Sequence, residues 1–180
     1  LEPVLGAGGV VVPPAGYYEG ILAVCEAHEV LVVADEVITG FGRTGHAWGC
    51  DAFSIRPHAV SAAKALTSGY FPLSAAMVTA EVAEVLVGAS RDNKEVFGHG
   101  LTYSGHPVGA AVALKALDIY QRDRLFDVGK SSHPVGAAFQ RRLRAAGKHP
   151  LVGEARGVGL VGAVELVADK GTGRGPAAGP

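Results

Sequence analysis

The feature that most constrains the fold is a short, unbroken apolar run, Leu31 to Ala34, which stops at two consecutive acids, Asp35 and Glu36. A run of this length without polar alternation is typical of a parallel strand that is covered on both faces. The segment before it, Tyr17 to His28, repeats apolar residues at helical spacing and predicts an amphipathic helix of about three turns. A helix that leads into a buried strand is half of an α/β repeat, so we expect an α/β fold.

The rest of the chain continues this alternation of short apolar runs and helical patterns. Val10 to Val12, stopped by Pro13 and Pro14, favours the end of a strand followed by a turn. Further strands are expected at residues 59–63, 74–79 and 159–167, and further helices at residues 81–87 and 135–146.

Length and charge limit the classes of function. The chain has 180 residues, 48% of them hydrophobic, which is enough to bury one sizeable core. Its formal net charge is -1 and its basic residues are scattered, so no nucleic-acid or anionic-membrane surface is indicated. No apolar run approaches the ~18 to 20 residues that span a bilayer, and no signal-peptide pattern opens the sequence. We therefore expect a cytoplasmic protein that acts on small molecules.

The two cysteines, Cys25 and Cys50, do not have the spacing of metal ligands. Both sit beside apolar residues, as reduced thiols in a protein core do. We expect both to be structural, and no metal site is predicted.

Asp35 is the first candidate for chemistry. A carboxylate at the end of a buried strand is expected to be desolvated, which is costly unless a positive partner lies beside it. In open α/β sheets, ligands bind at the carboxyl ends of the strands. The protonated pyridine nitrogen of a cofactor would be one such partner, and keeping it protonated lets the ring act as an electron sink. A nearby arginine or a helix N-terminus would serve the carboxylate equally well.

Lys64 is the second candidate. It lies between Ala62-Ala63 and Ala65-Leu66, and an apolar setting favours the uncharged amine, the form that attacks an aldehyde. The alternative is a lysine at the end of a strand whose ammonium group reaches water, which is the commoner case for a lone lysine.

The third candidate is the stretch 99–107, which precedes another predicted helix. Ser104 is a possible N-cap of this helix, Pro107 lies in its first turn, and free amides with the Thr102 hydroxyl would form an anion site. The same residues can act as caps alone, and we expect neither His99 nor His106 to be catalytic. The apolar stripe of this helix is expected to consist of Val108, Val112, Ala116 and Ile119.

Four apolar residues followed by Asp-Glu also resemble the acidic end of the magnesium site of nucleoside triphosphatases. Such an enzyme needs a phosphate loop, and the nearest candidate is Gly129-Lys130-Ser131. Arg124 stands where that loop requires glycine, and no apolar strand leads into it. A phosphohydrolase would therefore need a nucleotide loop outside this chain.

Several segments agree in order and spacing with one known family. They are Ala34 to Val37, Thr39 to Gly45, Ala63 to Leu66 and His99 to Pro107, with Glu2-Pro3-Val4, Gly8 to Val10 and Arg156 to Leu160 in addition. Together they resemble the class III aminotransferases, which include the ω-amino acid and ω-amine transaminases. The resemblance covers about residues 1 to 170.

The resemblance implies a fold and a division of the chain. Residues 1–122 would form part of the large cofactor-binding domain of an aspartate-aminotransferase-like α/β fold. Residues 123–170 would form linker helices and the start of a small C-terminal α/β domain. Residues 171–180, mostly Gly, Pro and Ala, are expected to be a disordered tail.

The resemblance also implies pyridoxal 5′-phosphate as cofactor, with an amino donor and an oxo-acid as substrates. Lys64 would bond to the cofactor and move the catalytic proton, Asp35 would pair with the pyridine nitrogen, and Val37 would pack on one ring face. Thr102 would bind the cofactor phosphate of a neighbouring subunit, and Leu101 would approach the same partner site. A homodimer with shared active sites is therefore expected.

Two departures from the family pattern bear on the acceptor. In ornithine- and γ-aminobutyrate-type relatives a glutamate follows the glycine of the opening motif and gates a substrate-binding arginine, whereas Ala7 follows Gly6 in this chain. Many relatives have glutamine where this chain has Ile38. Both changes resemble the pyruvate-using ω-transaminases, so pyruvate is the expected acceptor.

Family members are more than twice as long as this chain, and their upstream phosphate loop and downstream substrate-carboxylate arginine are not found in it. We therefore expect a fragment that is inactive and poorly soluble by itself. Three alternatives stay open: an epimerase, a decarboxylase, or a non-catalytic truncated remnant of such an enzyme.

Overall fold

The computed structural model describes residues 1–91 and 96–175. The helices are α1 (Tyr17–Ala27), α2 (Gly49–Ala52), α3 (Ala80–Arg91), α4 (Pro107–Arg122) and α5 (Pro134–Ala146). The strands are β1 (Val33–Asp35), β2 (Ala59–Ala62), β3 (Ala75–Val78), β4 (Val152–Val158) and β5 (Val161–Leu166). Single 3-10 turns occupy Lys64–Leu66 and Leu125–Asp127. Within the described ranges, no helix is long and apolar enough to cross a bilayer.

The first sheet has the strand order β1-β2-β3 and agrees with the predicted α/β fold. Strand β1 runs parallel to β2, with Val33 opposite Ala59 and Asp35 opposite Ser61. Strand β3 returns antiparallel to β2. Because β1 and β2 are parallel, the residues that follow them emerge at the same edge of the sheet. The strands predicted at 59–63 and 74–79 and the helix from Tyr17 are confirmed.

Only one face of β1 is covered by the described chain. Val32 and Ala34 are buried in a core with Tyr18 of α1, and partly buried residues of α1 pack against it. On the opposite, open face Leu31 is 61% exposed and Val33 is 51% exposed. The expectation of a strand covered on both faces is therefore wrong for this chain, because α1 supplies apolar contacts to one side only.

Both cysteines are free thiols, and their predicted structural role agrees with their positions. Cys50 is buried in the core beside Val32 and Ala34, and Cys25 packs against the same core half-buried. Burial, reinforced by the nearby Glu36 carboxylate, raises the pKa of the Cys50 thiol. The thiol is thus held in its neutral form.

Helix α4 begins later than the sequence indicates. Its cap is His106, whose Nδ1 accepts a hydrogen bond from the Val108 amide at 3.3 Å. Ser104, the predicted cap, instead accepts from the Leu101 amide at 3.2 Å. Of the predicted stripe, Ala116 is buried and Val112 and Ile119 are half-buried, whereas Val108 is 53% exposed; the helix also buries Gly109 and Ala113.

The second sheet is the antiparallel hairpin of β4 and β5, on which α5 packs. Its turn residue Gly159 has φ +60°, and a Cβ there would lie 2.7 Å from Thr44 Cα, so the turn requires glycine. The Leu160 amide donates to the Arg43 carbonyl at 2.8 Å. The strand predicted at 159–167 and the helix predicted at 135–146 are confirmed, whereas β4 was not predicted because glycines and charges interrupt its apolar pattern.

The predicted domain boundary near residue 122 and the predicted C-terminal tail can be compared with the structure only in part. The first sheet lies before residue 122 and the hairpin after it, and the boundary itself stays a prediction. Asp169 pairs with Arg174 in an isolated bridge, so an ordered turn extends into the segment predicted to be disordered. Residues 176–180 lie outside the described part of the chain.

Candidate active site

Asp35 is the last residue of β1 and points away from the core. Its neighbours on either side, Ala34 and Glu36, are fully buried, whereas Asp35 is exposed. Its Oδ1 accepts a hydrogen bond from the amide of Val37, a half-buried residue, at 3.0 Å. The expected desolvation of Asp35 is wrong for this chain, because side chains alternate along a strand and Asp35 falls on the open face.

Lys64 follows β2 by two residues and begins a 3-10 turn. Its backbone is left-handed, with φ +45°, a conformation that costs a non-glycine residue about 1–3 kcal/mol. Ala65 and Leu66 are buried but the lysine side chain is exposed. The apolar setting inferred from the sequence thus belongs to its neighbours, and the ammonium group of Lys64 reaches solvent in this chain.

The sheet brings Asp35 and Lys64 to the same edge. Asp35 is paired with Ser61, and Lys64 comes three residues after Ser61. The Glu36 amide donates to the Ser61 carbonyl at 2.9 Å, which ties the end of β1 to β2. An acid and an amine therefore follow neighbouring parallel strands where ligands bind in open α/β sheets.

Glu36 is the buried acid of the pair that ends β1. Its carboxylate is fully buried and accepts hydrogen bonds from the Thr39 hydroxyl at 2.5 Å and the Gly49 and Cys50 amides at 2.8 and 2.6 Å. A helix N-terminus was one of the partners considered for Asp35, but the N-terminus of α2 donates to Glu36 instead. Strand alternation was the signal that would have separated the two acids, because consecutive residues face opposite sides.

Helix α4 supports the turn that carries Lys64. The Tyr120 hydroxyl donates to the Ala65 carbonyl at 2.6 Å and is also hydrogen-bonded to the Ser68 hydroxyl. The Thr67 hydroxyl donates to the Phe71 carbonyl at 2.5 Å. These bonds hold the residues after Lys64 in place while leaving its amine in solvent.

Leu101 and Thr102 lie in the exposed loop that precedes α4. Leu101 is 72% exposed, and its amide donates to the Ser104 hydroxyl. Among the described hydrogen bonds, none joins Thr102 to Asp35 or Lys64. Asp35, Val37 and Lys64 thus lie at one edge of the sheet. The described hydrogen bonds do not connect Leu101 or Thr102 to that edge.

Gly129 and Lys130 do not form a phosphate loop. They follow the 3-10 turn Leu125–Asp127, not a strand, and a Cβ on Gly129 would lie 2.7 Å from the Gly45 amide nitrogen. The Lys130 ammonium is paired with Asp127 at 2.5 Å. The phosphohydrolase alternative therefore has no structural support, and the described residues contain no cluster of three or more potential metal ligands.

Solved transaminases share this fold. An (S)-enantioselective ω-transaminase from Thermomicrobium roseum is 48% identical with a TM-score of 0.87, over 96% of this chain and 37% of its own. The ω-transaminase from Pseudomonas jessenii in complex with PMP is 44% identical with a TM-score of 0.90, over 98% of this chain and 38% of its own. The structure is thus part of an aspartate-aminotransferase-like α/β fold.

Residues 1–175 match the family Aminotransferase class-III, and the chain belongs to that family. It is 50% identical over 170 residues to an uncharacterized aminotransferase of Sinorhizobium fredii. It is 47% identical over 169 residues to gamma aminobutyrate transaminase 2 of Solanum lycopersicum. Each alignment covers 94% of this chain but only 36% of the relative, so the chain spans about a third of the length of these curated relatives.

Class III aminotransferases use pyridoxal 5′-phosphate, and the described residues fit that cofactor. One oxygen of Asp35 accepts from the Val37 amide, and no described hydrogen bond uses the other. Lys64 presents an exposed amine at the same sheet edge. A carboxylate that can meet a ring nitrogen and an amine that can meet an aldehyde are therefore both accessible where the parallel strands end.

Proposed function

We propose that this chain is part of a pyridoxal-phosphate-dependent ω-transaminase, which moves an amino group from an ω-amino acid or amine to an oxo-acid. The observation that carries the proposal is the placement of Asp35 and Lys64 at the ends of two neighbouring parallel strands. The ω-transaminases among the similar solved structures support it.

Asp35 is assigned to the ring nitrogen of the cofactor. Its carboxylate is fixed by the Val37 amide and stands on the open face of the sheet. Bound there, the cofactor supplies a ring that stores the electron pair released from the carbon bearing the amine. Asp35 would hold a proton on the ring nitrogen by charge attraction, and Val37 would pack against one face of the ring.

Lys64 is assigned the covalent bond and the proton transfer. Its exposed Nζ would hold the cofactor through a covalent bond, which the substrate amine would displace. The freed Nζ would act as the base that takes the proton from the amine-bearing carbon of the substrate and as the acid that returns it. The bonds from Tyr120 and Thr67 keep the 3-10 turn in place during this transfer.

Pyruvate is the proposed acceptor. Ala7 and Ile38 lie where a glutamate and a glutamine would favour other acceptors by family resemblance, and the loop that carries Ala7 packs against Ile38. Because residue 7 has no gating carboxylate, the part of the site near Ala7 and Ile38 favours a short oxo-acid.

The proposal includes a homodimer, a cytoplasmic location and a division of labour between subunits. Thr102 binds the cofactor phosphate of the neighbouring subunit, and Leu101 approaches the same site. The exposure of both residues in the loop before α4 supports this arrangement.

The test is made on the complete protein that carries this chain, loaded with pyridoxal 5′-phosphate. Lys64→Ala should lose the visible absorbance of the lysine-bound cofactor and almost all transfer from amine to pyruvate. Lys115→Ala is the matched control, since Lys115 is an exposed lysine paired with Asp118 on α4. Turnover by Lys64→Ala at the level of the control would contradict the mechanism.

A further inference from the structure

The Gly6–Val10 loop holds an unusual backbone beside the candidate site. Leu5 and Val11 close it through two hydrogen bonds of 3.1 and 3.0 Å. Val10 has φ +54° and Gly9 has φ +113°. A β-branched residue rarely adopts this left-handed conformation, and such strain persists only where surrounding contacts impose it.

This loop packs directly against the segment that follows Asp35. A Cβ on Gly6 would lie 2.6 Å from Ile38 Cδ1, so the backbone of the loop touches the Ile38 side chain. The Gly6 amide donates to Glu2 Oε2 at 2.9 Å, and the exposed Ala7 follows at the tip of the loop. The position of the loop is therefore coupled to Ile38, which follows Asp35 by three residues.

A side chain 147 residues away in sequence holds the strained end of the loop. Arg156, on β4, donates from Nε to the Gly9 carbonyl at 2.8 Å. Its Nη1 donates to Glu154 Oε2 and Glu165 Oε2, each at 2.8 Å. The Arg156 side chain is 21% exposed, while the two glutamates are 60% and 55% exposed. The glutamates fix the guanidinium on the hairpin, and the guanidinium fixes the loop.

We infer that Arg156 is a positioning residue that holds the Gly6–Val10 loop against Ile38 and so shapes the acceptor side of the site. The inference rests on the proposed function for its kinetic consequence. A guanidinium suits this task, because its planar fork donates to a carbonyl and to carboxylates at the same time. No group in this contact touches Asp35 or Lys64 through a described hydrogen bond, so cofactor binding should not depend on it.

Arg156→Gln and Arg156→Lys test the inference in the complete protein carrying this chain. Loss of the charge-assisted hydrogen bond to the Gly9 carbonyl should raise the KM for pyruvate by roughly tenfold in Arg156→Gln, with kcat changed by less than about threefold. Arg156→Lys keeps the charge but not the fork, and its KM should lie between those of Arg156→Gln and the unchanged protein. The absorbance of the bound cofactor should be the same in all three.

A second readout is independent of activity. Hydrogen exchange at the Gly9, Val10 and Val11 amides should be faster in Arg156→Gln, because the loop loses its hold on the hairpin. Arg141→Gln, at an exposed arginine on α5, is the control and should leave exchange and KM unchanged.

The outcomes separate the two proposals. Unchanged loop exchange in Arg156→Gln would overturn the role of Arg156 whether or not the protein is active. Faster exchange with equal losses in thermal stability and kcat, and an unchanged KM for pyruvate, would also overturn it, since that result describes a purely structural contact. A protein that binds no pyridoxal 5′-phosphate would refute the proposed function while the exchange result still decided the contact.

Discussion

Asp35 lies directly opposite Ser61 in the parallel pairing of β1 and β2, and Lys64 follows Ser61 by three residues. The pairing fixes the relative height of the acid and the amine at the sheet edge. Because Asp35 points to the open face, its carboxylate can be altered without disturbing the core. Function and stability should therefore respond separately to substitutions at the end of β1.

Asp35→Asn should abolish most activity and leave the fold intact. An amide cannot attract a protonated ring nitrogen by charge, and removing such a contact typically costs roughly 100- to 1000-fold in turnover. The exposed side chain should change the free energy of unfolding by less than about 0.5 kcal/mol. Steady-state kinetics and urea unfolding measure the two effects, with the exposed Asp118→Asn as control. Activity within twofold of the control would show that the ring nitrogen has another partner.

Glu36→Gln should produce the opposite result at the neighbouring position. The buried carboxylate accepts from two backbone amides and the Thr39 hydroxyl, and a glutamine would turn an NH₂ group toward one of those donors. We expect a loss of about 1–3 kcal/mol in the free energy of unfolding. Chemical denaturation measures it, and Glu26→Gln on the exposed side of α1 should change little. Equal stability of the two variants would argue against the cap on α2.

Stability at high pH should depend on Tyr18. Its hydroxyl donates to the Glu2 carbonyl, and burial raises its pKa from 10.0 to about 12. Below pH 10 the tyrosine is protonated in both states; as the pH rises toward 12 the unfolded chain loses that proton first. The folded state therefore binds more protons there, and the stabilisation from the hydroxyl is lost as the pH rises through that interval, by at most about 2 kcal/mol.

Tyr18→Phe should remove this part of the pH dependence while preserving the packing of the ring on Phe53. Urea unfolding at several pH values between 9 and 12 gives the free energy of unfolding of both proteins. The difference between the two values isolates Tyr18, because the other titrating groups are the same in both proteins. Parallel curves for Tyr18→Phe and the unchanged protein would contradict the assignment.

The 180 residues expressed alone should be inactive and poorly soluble. Val33 lies opposite Ala59, and Ala59 lies opposite Val78, so both valines stand on the open face, 51% and 46% exposed. Such a surface favours association. Val33→Thr with Val78→Thr should reduce sedimentation of aggregates and binding of a hydrophobic dye. Turnover of alanine and an aldehyde by a soluble protein of this length would show the prediction to be wrong.

The placement of Asp35 and Lys64 after two strands could be predicted from the sequence, because local apolar patterns determine where those strands form. The apolar run before Asp35 and the short run before Lys64 each contribute to a strand, and each strand ends within one residue of the predicted end. Neighbouring parallel strands then place the two residues at one edge without further information. Family resemblance assigns their roles, which the contacts of the described chain do not test.

Burial and long-range contacts could not be predicted in the same way. Exposure of Asp35 depends on which face of β1 meets α1, and an unbroken apolar run does not specify a face. The cap on α4 is His106 because the chain turns there, one residue before Pro107. The contact between Arg156 and Gly9 joins distant segments through a side chain, and no periodic pattern encodes it.

The hairpin turn at Gly159 has a practical consequence for protein engineering. Turns of β-hairpins are ordinarily good places to graft an epitope or a fluorescent reporter, because they extend into solvent. This one is inserted against the backbone of Arg43 and Thr44, in the segment that follows the acid pair of β1. A graft there would push the hairpin away from the Arg43–Thr44 segment, whereas the turn at Gly173 leaves room for one.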